Sequence, residues 1–111
     1  DKQEVIRMNL SMSLLAVVAQ QLIPTNDGAR ILACEVMVAT QAIRALIREN
    51  NVHQLDNYIK SGGKDGMVLM DDSLLALFQK GIISEDNLIR HAINLTQMEQ
   101  NMGSVRKQPN I

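Results

Sequence analysis

Two arginines, Arg44 and Arg48, lie four residues apart in the segment QAIRALIRENN, residues 41–51. That spacing puts both guanidinium groups on one face of a helix, where like charges cost about 0.2–0.5 kcal/mol. No acidic residue lies between them. Such a pair either forms a solvated face, which is the commoner case, or meets an acceptor elsewhere in the structure.

A second candidate for chemistry is SGGKDG, residues 61–66, because glycines ahead of a lysine are how nucleotide-binding loops present backbone amides and an ammonium group to phosphate. The nucleotide loop needs Gly-x-x-x-x-Gly-Lys-Ser/Thr. Here Tyr58 stands at the first glycine position and Asp65 at the hydroxyl position. The segment therefore predicts the end of a helix and a turn.

Metal binding and nucleophilic catalysis have little support. His53 and His91 are far apart in the sequence, with no cysteine or carboxylate at ligand spacing, whereas zinc needs about four such ligands. None of the serines lies in a Gly-x-Ser-x-Gly motif. Cys34 lies in an apolar strand pattern, where a thiol is usually a small buried hydrophobe.

Glu35 is the one carboxylate in that strand pattern, and a buried carboxylate must be paired or must reach a sheet edge. Two interpretations remain open at this point: a structural ion pair with an arginine such as Arg30 or Arg44, and a catalytic acid.

The composition narrows the function classes. The net charge is −1 and aromatic residues make up 2% of the chain, so neither a basic surface nor a stacking platform for nucleic acid is expected. A single cysteine excludes an intramolecular disulfide and favours a reducing compartment. No apolar run reaches the ~20 residues of a membrane span. The chain begins with Asp rather than Met, so we expect a piece of something longer.

The first half of the sequence predicts a helix and a strand pair. Apolar residues at three- and four-residue steps predict a helix from Asp1 to about Gln20, buried on most sides because it is apolar on most sides. Strands are predicted at about 19–24 and 30–38 around a Pro-Thr-Asn-Asp-Gly turn, the second covered on both faces. Two strands alone do not make a stable sheet, so further strands are expected from residues outside this sequence or from another chain.

The second half predicts short helices. Thr40 is a good cap for a helix at about 41–50 with Ile43, Leu46 and Ile47 facing inward. Further helices are predicted at about 53–60, with Tyr58 facing inward, from Asp71 or Asp72 to just before Gly81, and after a Ser84 cap. Periodicity is lost from about Gln97, which indicates a frayed tail.

Three stretches carry a resemblance to a known family: LSMSLLAVVAQQLIPTNDGARILACEVMV at 10–38, AIRALIRE at 42–49 and GMVLMDDSLLALFQKGIIS at 66–84. The sequence resembles the PilT-type ATPases of type IV pilus retraction and twitching motility, within the broader secretion-ATPase group. That family carries Ala-Ile-Arg-Asn-Leu-Ile-Arg-Glu near its C-terminal end, and Ala45 stands here in place of the Asn. The resemblance runs from Asp1 to about Ala92.

The resemblance implies an α/β fold: the C-terminal fragment of a RecA-like P-loop ATPase core, with a long helix and a strand pair followed by a helical C-terminal layer. The expected parts are residues 1–39 of the ATPase core, a helical subdomain at 40–96 and a flexible tail at 97–111. The family's nucleotide loop, magnesium-binding acids and histidine-containing box lie upstream of this sequence. ATP and magnesium are therefore expected in the full-length parent, and no cofactor, catalytic residue or metal ligand in this chain alone.

The resemblance further implies a homo-oligomeric, hexameric motor in the cytoplasm that works with the inner-membrane platform of the pilus machinery, with no nucleic acid partner and no direct membrane insertion. This part of it would serve subunit contacts and coupling, through an acceptor for the arginines in the missing part of the subunit or in a neighbouring subunit. The implied motif residues are Ala42, Ile43, Arg44, Leu46, Ile47, Arg48 and Glu49.

An alternative from another class is a free-standing helical adaptor or regulatory module without ATPase activity. A phosphate-loop motif in frame upstream of Asp1 would favour the motor, and a start or stop codon there would favour the module.

Overall fold

The computed structural model describes residues 2–106, which form six α-helices and one two-stranded sheet. The predicted α/β content is confirmed. The order along the chain is α1 (Lys2–Ser13), β1 (Ala16–Pro24), β2 (Arg30–Val38), α2 (Gln41–Arg48), α3 (Leu55–Ser61), α4 (Met70–Gln79), α5 (Glu85–His91) and α6 (Leu95–Arg106), with short 3-10 turns at Val52–Gln54 and Gly63–Asp65.

The strands β1 and β2 form a hairpin around the predicted turn. The Thr25 N–H donates to the Ala29 carbonyl at 2.9 Å, and the Gly28 N–H donates to the Thr25 carbonyl at 3.2 Å. Gly28 has φ of +85°, a left-handed conformation that glycine adopts without a steric penalty. Turn chemistry in the sequence therefore fixed where the hairpin reverses.

The chain divides into two compact units. Unit 1 takes the residues up to Ala19 together with Cys34–Leu69, and unit 2 takes Gln20–Ala33 together with the residues from Met70 onward. Each unit has its own apolar core. The boundary expected between residues 39 and 40 concerns the parent protein and stays a prediction.

The core of unit 1 forms beneath α2. Buried members are Met37, Ile43, Ile47, Ile59 and Met67. At the outer edge of β2, Val36 and Val68 exchange backbone hydrogen bonds of 2.9 and 3.0 Å, so a short extended segment pairs with that strand. The predicted inward face of α2 is confirmed, since Leu46 is also buried.

The core of unit 2 joins one end of the hairpin to the later helices, with buried residues Ile23, Ala33, Met70, Leu74, Ile83, Leu88, Met98 and Met102. Asp71, in the first turn of α4, accepts the N–H groups of Ile93 and Asn94 at 2.8 and 2.9 Å. These bonds hold the α5–α6 connection against the start of α4. The predicted Ser84 cap is confirmed, because its hydroxyl oxygen accepts the Asn87 N–H at 3.1 Å.

The prediction for the first helix is wrong in two respects. The helix α1 ends at Ser13 rather than near Gln20, because residues from Ala16 onward, including β-branched Val17 and Val18, pair with β2 instead. It is also largely exposed: Ile6 is 62% and Met12 66% exposed. The apolar stripe exists as the spacing predicts, but its side chains are exposed rather than buried.

Other details also differ from the sequence-based expectation. In β2, Leu32 is exposed, so this strand is not covered on both faces along its whole length. Tyr58 is exposed, although Ile59 beside it is buried. The frayed tail expected from Gln97 is wrong as far as Arg106, because α6 continues to that residue and buries Met98 and Met102. Residues 107–111 of the expected tail lie outside the described residues.

Helix length bears on membrane insertion. None of the helices within residues 2–106 is both long and apolar enough to cross a bilayer.

The hairpin turn yields a test of its local chemistry. The Thr25 hydroxyl donates to Asp27, and with the Ala29 N–H it holds the pKa of the Asp27 carboxyl below its usual value. A lowered pKa in the folded state favours folding above the usual pKa, and this contribution is lost as the pH falls through the folded value. Thr25→Val removes the donated bond, so we expect the pKa of Asp27 to rise toward its ordinary value. The carbon-13 NMR titration of the Asp27 carboxyl measures this shift.

Thr96→Val is the matched control, since Thr96 is exposed on α6 and should leave that titration unchanged. A titration midpoint for Asp27 that is the same in Thr25→Val and in the unsubstituted chain would contradict the assignment.

Candidate functional site

The segment QAIRALIR folds as helix α2, and its local sequence fixes both ends. At the start, the Thr40 hydroxyl oxygen accepts the Ile43 N–H at 3.3 Å, as predicted from the sequence. At the end, the Asn51 N–H donates to Leu46 O at 2.8 Å and the Asn50 N–H to Ile47 O at 3.2 Å. Asn50 has φ of +61°, so the pair of bonds forms a Schellman motif with asparagine in the left-handed position.

The seven residues implicated by the resemblance differ in how far their side chains are exposed. Ile43 is fully buried, and Leu46 and Ile47 are 6% exposed, so these three serve the core. Arg44 is half-buried. The exposed members, which are free of the core, are Ala42, Arg48 and Glu49.

Arg44 spans two elements through its guanidinium group. Its Nη1 donates to the Ser11 carbonyl at 2.6 Å, and its Nε donates to the Ala39 carbonyl at 3.0 Å. Ser11 lies in the last turn of α1 and is 1% exposed. Arg44 therefore ties the end of α1 to the connection between β2 and α2.

Each of these carbonyls needs a donor from outside its own element. The last carbonyls of a helix lack intrahelical partners, and a cation near a helix C-terminus interacts favourably with the helix dipole. Ala39 precedes the cap of α2, and its own N–H already donates to the Leu15 carbonyl at 2.9 Å. The Arg44 guanidinium thus donates hydrogen bonds to two backbone carbonyls that folding removes from water.

The expectation that the acceptor of Arg44 lies outside this chain is wrong. Two backbone carbonyls, which the sequence pattern does not reveal, accept its protons. Arg48 differs, because it is exposed and forms no ion pair or side-chain hydrogen bond with any residue in the range 2–106. The two arginines of the motif are therefore not equivalent.

Sequence reasoning missed Ser11, the residue that accepts from Arg44. Its hydroxyl donates to the Met8 carbonyl at 2.7 Å, and it lies with half-buried Arg7 and Leu14 on one face of α1. The signal was present in the spacing of residues 7, 11 and 14, but the polarity of Arg7 and Ser11 hid it. A search for apolar periodicity selects the opposite, exposed face of the helix.

Metal-ligating side chains are spread over this part of the chain. Within residues 2–106, no three histidine, cysteine, aspartate or glutamate side chains group closely enough to hold a metal ion.

The unequal bonding of the two arginines predicts unequal effects on stability. Arg44→Ala should lower the free energy of unfolding by about 1.5–3 kcal/mol, the range for hydrogen bonds to charged groups, because the buried Ser11 carbonyl loses its donor. Arg48→Ala should change it by no more than about 0.5 kcal/mol, as exposed substitutions usually do. Urea denaturation followed by circular dichroism measures both values.

Arg44→Lys separates charge from geometry. An ammonium group keeps the charge but lacks the planar fork that reaches two carbonyls, so it should recover only part of the lost stability. Equal losses for Arg44→Ala and Arg48→Ala would contradict the assignment of Arg44 as the tie between α1 and α2.

Two curated relatives and one solved structure illustrate the similarity of this chain to known proteins. A twitching motility protein of Neisseria gonorrhoeae is 39% identical over 98 residues, which is 87% of this chain and 26% of that protein. The type IV pilus retraction ATPase PilT of Pseudomonas aeruginosa is 42% identical over 87 residues, 78% of this chain and 25% of that protein. No protein-family model matches the chain.

The solved structure is that of the pilus retraction motor PilT with bound ADP. It superposes with a TM-score of 0.79 at 29% identity, over 90% of this chain and 27% of that one. The chain thus spans about a quarter of the length of the proteins it matches. The chain belongs to the family of PilT-type type IV pilus retraction ATPases.

Proposed function

We propose that this chain is part of a hexameric ATPase motor that powers type IV pilus retraction and twitching motility. In this proposal it contributes subunit contacts and coupling, and catalysis belongs to other parts of the parent protein. The observation that carries the proposal is the similarity to PilT over 90% of the chain, at a TM-score of 0.79.

Arg44 is bonded to α1, whereas Arg48 and Glu49 are exposed, and this difference supports a coupling role for α2. Arg44 holds α2 to the end of α1, so a displacement of one helix is passed to the other through the hydrogen bond from Arg44 Nη1 to the Ser11 carbonyl. Arg48 and Glu49 are exposed on the same helix and are available to another surface. A helix that is tied on one side and free on the other can transmit movement between two bodies.

The chemistry of the residues supports the separation from catalysis. The sequence contains no Gly-x-x-x-x-Gly-Lys-Ser/Thr loop. ATP and magnesium are therefore cofactors of the parent in this proposal, bound outside this chain. The parent is a cytoplasmic homo-oligomer that works on the inner-membrane platform of the pilus machinery.

The first test concerns the motif in the complete protein. Replacing Arg44 and Arg48 together by alanine should impair pilus retraction more than it impairs ATP binding, because the pair acts after the nucleotide site. Twitching-zone assays and nucleotide titration of the purified protein measure the two effects. Arg90→Ala is the control, since Arg90 is an exposed arginine that pairs with Asp86, four residues away, at 3.5 Å.

Unchanged motility in the double variant would refute the coupling role. An equal loss of ATP binding and retraction would instead assign the pair to the nucleotide site.

The second test concerns the 111-residue chain itself. Incubated with ATP and magnesium, it should release no phosphate above the background of buffer, because the loop that holds the phosphates is not in its sequence. A coupled phosphate-release assay measures this. Magnesium-dependent hydrolysis by this chain alone would overturn the proposal that catalysis lies elsewhere.

A further inference from the structure

The register of the hairpin decides which backbone groups of β1 face away from β2. The Thr25 N–H donates to the Ala29 carbonyl, and the Ala39 N–H donates to the Leu15 carbonyl, each at 2.9 Å. Between these two pairs both strands advance by the same number of residues, so the ladder has no net shift. Bonded pairs alternate along an antiparallel ladder, so the odd-numbered residues of β1 bond to β2. The even-numbered residues direct their N–H and carbonyl groups to the opposite edge.

The other edge of the hairpin agrees with this register. Val36, an even-numbered residue of β2, exchanges both of its backbone hydrogen bonds with Val68 on the outer side of that strand. On β1 no strand within residues 2–106 occupies the corresponding position. The outward residues of β1, all of them exposed, are Ala16, Val18, Gln20 and Leu22. Their four N–H and four carbonyl groups form an open sheet edge, which we call the β1 edge.

The β1 edge is bounded and uncharged. Pro24 closes its far end, because proline has no N–H and the Pro24 carbonyl already accepts the Asn87 side-chain amide at 3.3 Å. Between Arg7 and Asp27 the sequence contains no charged residue. Charged side chains are a common protection of an open edge against pairing with another chain. The β1 edge lacks this protection and is suited to pair with a further strand.

The side chains of β1 also lack neighbours. Val17 is 43% exposed and Val18 is 55% exposed, although consecutive residues of a strand point to opposite faces. Cross-strand contacts between such side chains are what stabilises a sheet. A two-stranded hairpin is marginal in water, whereas three or more strands with an apolar face are stable. A strand at the β1 edge therefore supplies contacts that the hairpin lacks.

We propose that the β1 edge pairs with the β1 edge of a second copy of this chain, antiparallel and symmetric about Ala19, so that two hairpins form one four-stranded sheet. In this register Ala16 exchanges both backbone hydrogen bonds with Leu22 of the partner subunit, and Val18 does so with Gln20 of the partner subunit. Every open N–H and carbonyl group of the edge then has a partner. The proposal goes beyond the proposed function and does not rest on it.

The symmetry and charge of the edge favour a second copy as the occupant. Two identical edges are self-complementary when they run antiparallel, and such a contact closes with two copies. Neither edge carries a charge that repels the other, and the net charge of each chain is only −1. Ala19 lies opposite Ala19 of the partner subunit at a non-bonded position, where the Cα atoms are about 4.5 Å apart. The small alanine side chain fits this close approach.

Sedimentation equilibrium of the 111-residue chain over a range of concentrations tests the pairing. We expect the average mass to rise from the 12.3 kDa of one chain to twice that value and to level off there. Ala19→Lys places two ammonium groups opposite each other at the symmetry axis, and like charges directly opposite destabilise a strand pair. We expect this variant to raise the dissociation constant by about tenfold or more.

A mixture of the Ala19→Lys and Ala19→Glu variants separates charge repulsion from misfolding. Opposite charges then face each other across the axis, so the mixture should associate more tightly than either variant alone. Ala29→Lys is the matched control, because Ala29 is exposed beside the hairpin turn, outside the β1 edge, and the variant should dimerise as the unsubstituted chain does. Circular dichroism of each variant reports whether it is folded.

Three results would overturn the proposal. A chain that stays monomeric at every concentration would exclude a second copy as the occupant and leave the edge to a strand from elsewhere. Equal dissociation constants for Ala19→Lys and the unsubstituted chain, or a mixture no tighter than its separate components, would exclude pairing about Ala19. Growth beyond two copies would exclude the closed dimer. The measurements need neither ATP nor pili, so each of these results leaves the coupling role of α2 standing.

Discussion

The structure of unit 1 depends on one side chain, Arg44, whose guanidinium donates to the carbonyls of Ser11 and Ala39. Both carbonyls lie at the ends of elements, where the backbone has no regular partner. The same side chain therefore bonds the carbonyls at two such ends and ties the last turn of α1 to the start of α2.

The sequence correctly predicted the features that depend on interactions between residues close together in the chain. Thr40 and Ser84 cap their helices, and Ile43, Leu46 and Ile47 face the core, because capping and apolar periodicity act within a few residues. The hairpin turn was predictable for the same reason. The acceptors of Arg44 were not, because they are backbone oxygens far away in the sequence and no residue type marks them.

The wrong predictions for α1 and α6 come from inferring burial from the sequence pattern alone. Burial was inferred from the apolar pattern of α1, yet Val5, Met8, Met12 and Leu15 are exposed, and the helix packs on the side of Arg7 and Ser11. An apolar pattern indicates that a helix face is suited to burial, but it does not identify the residues that cover that face. The chain spans about a quarter of its relatives' length, so a pattern shaped in a larger protein need not be satisfied within these residues. The helical tail was missed for the converse reason, since two methionines, Met98 and Met102, are enough to anchor α6.

Hydrogen exchange of the two arginine side chains tests the central claim most directly, because it observes the guanidinium groups themselves. The account predicts that the Nε–H of Arg44 exchanges slowly with water and resists rotation about its Nε–Cζ bond, whereas the Nε–H of Arg48 exchanges as fast as that of a free arginine. Equal, fast exchange of both groups in NMR spectra of the folded chain would contradict it.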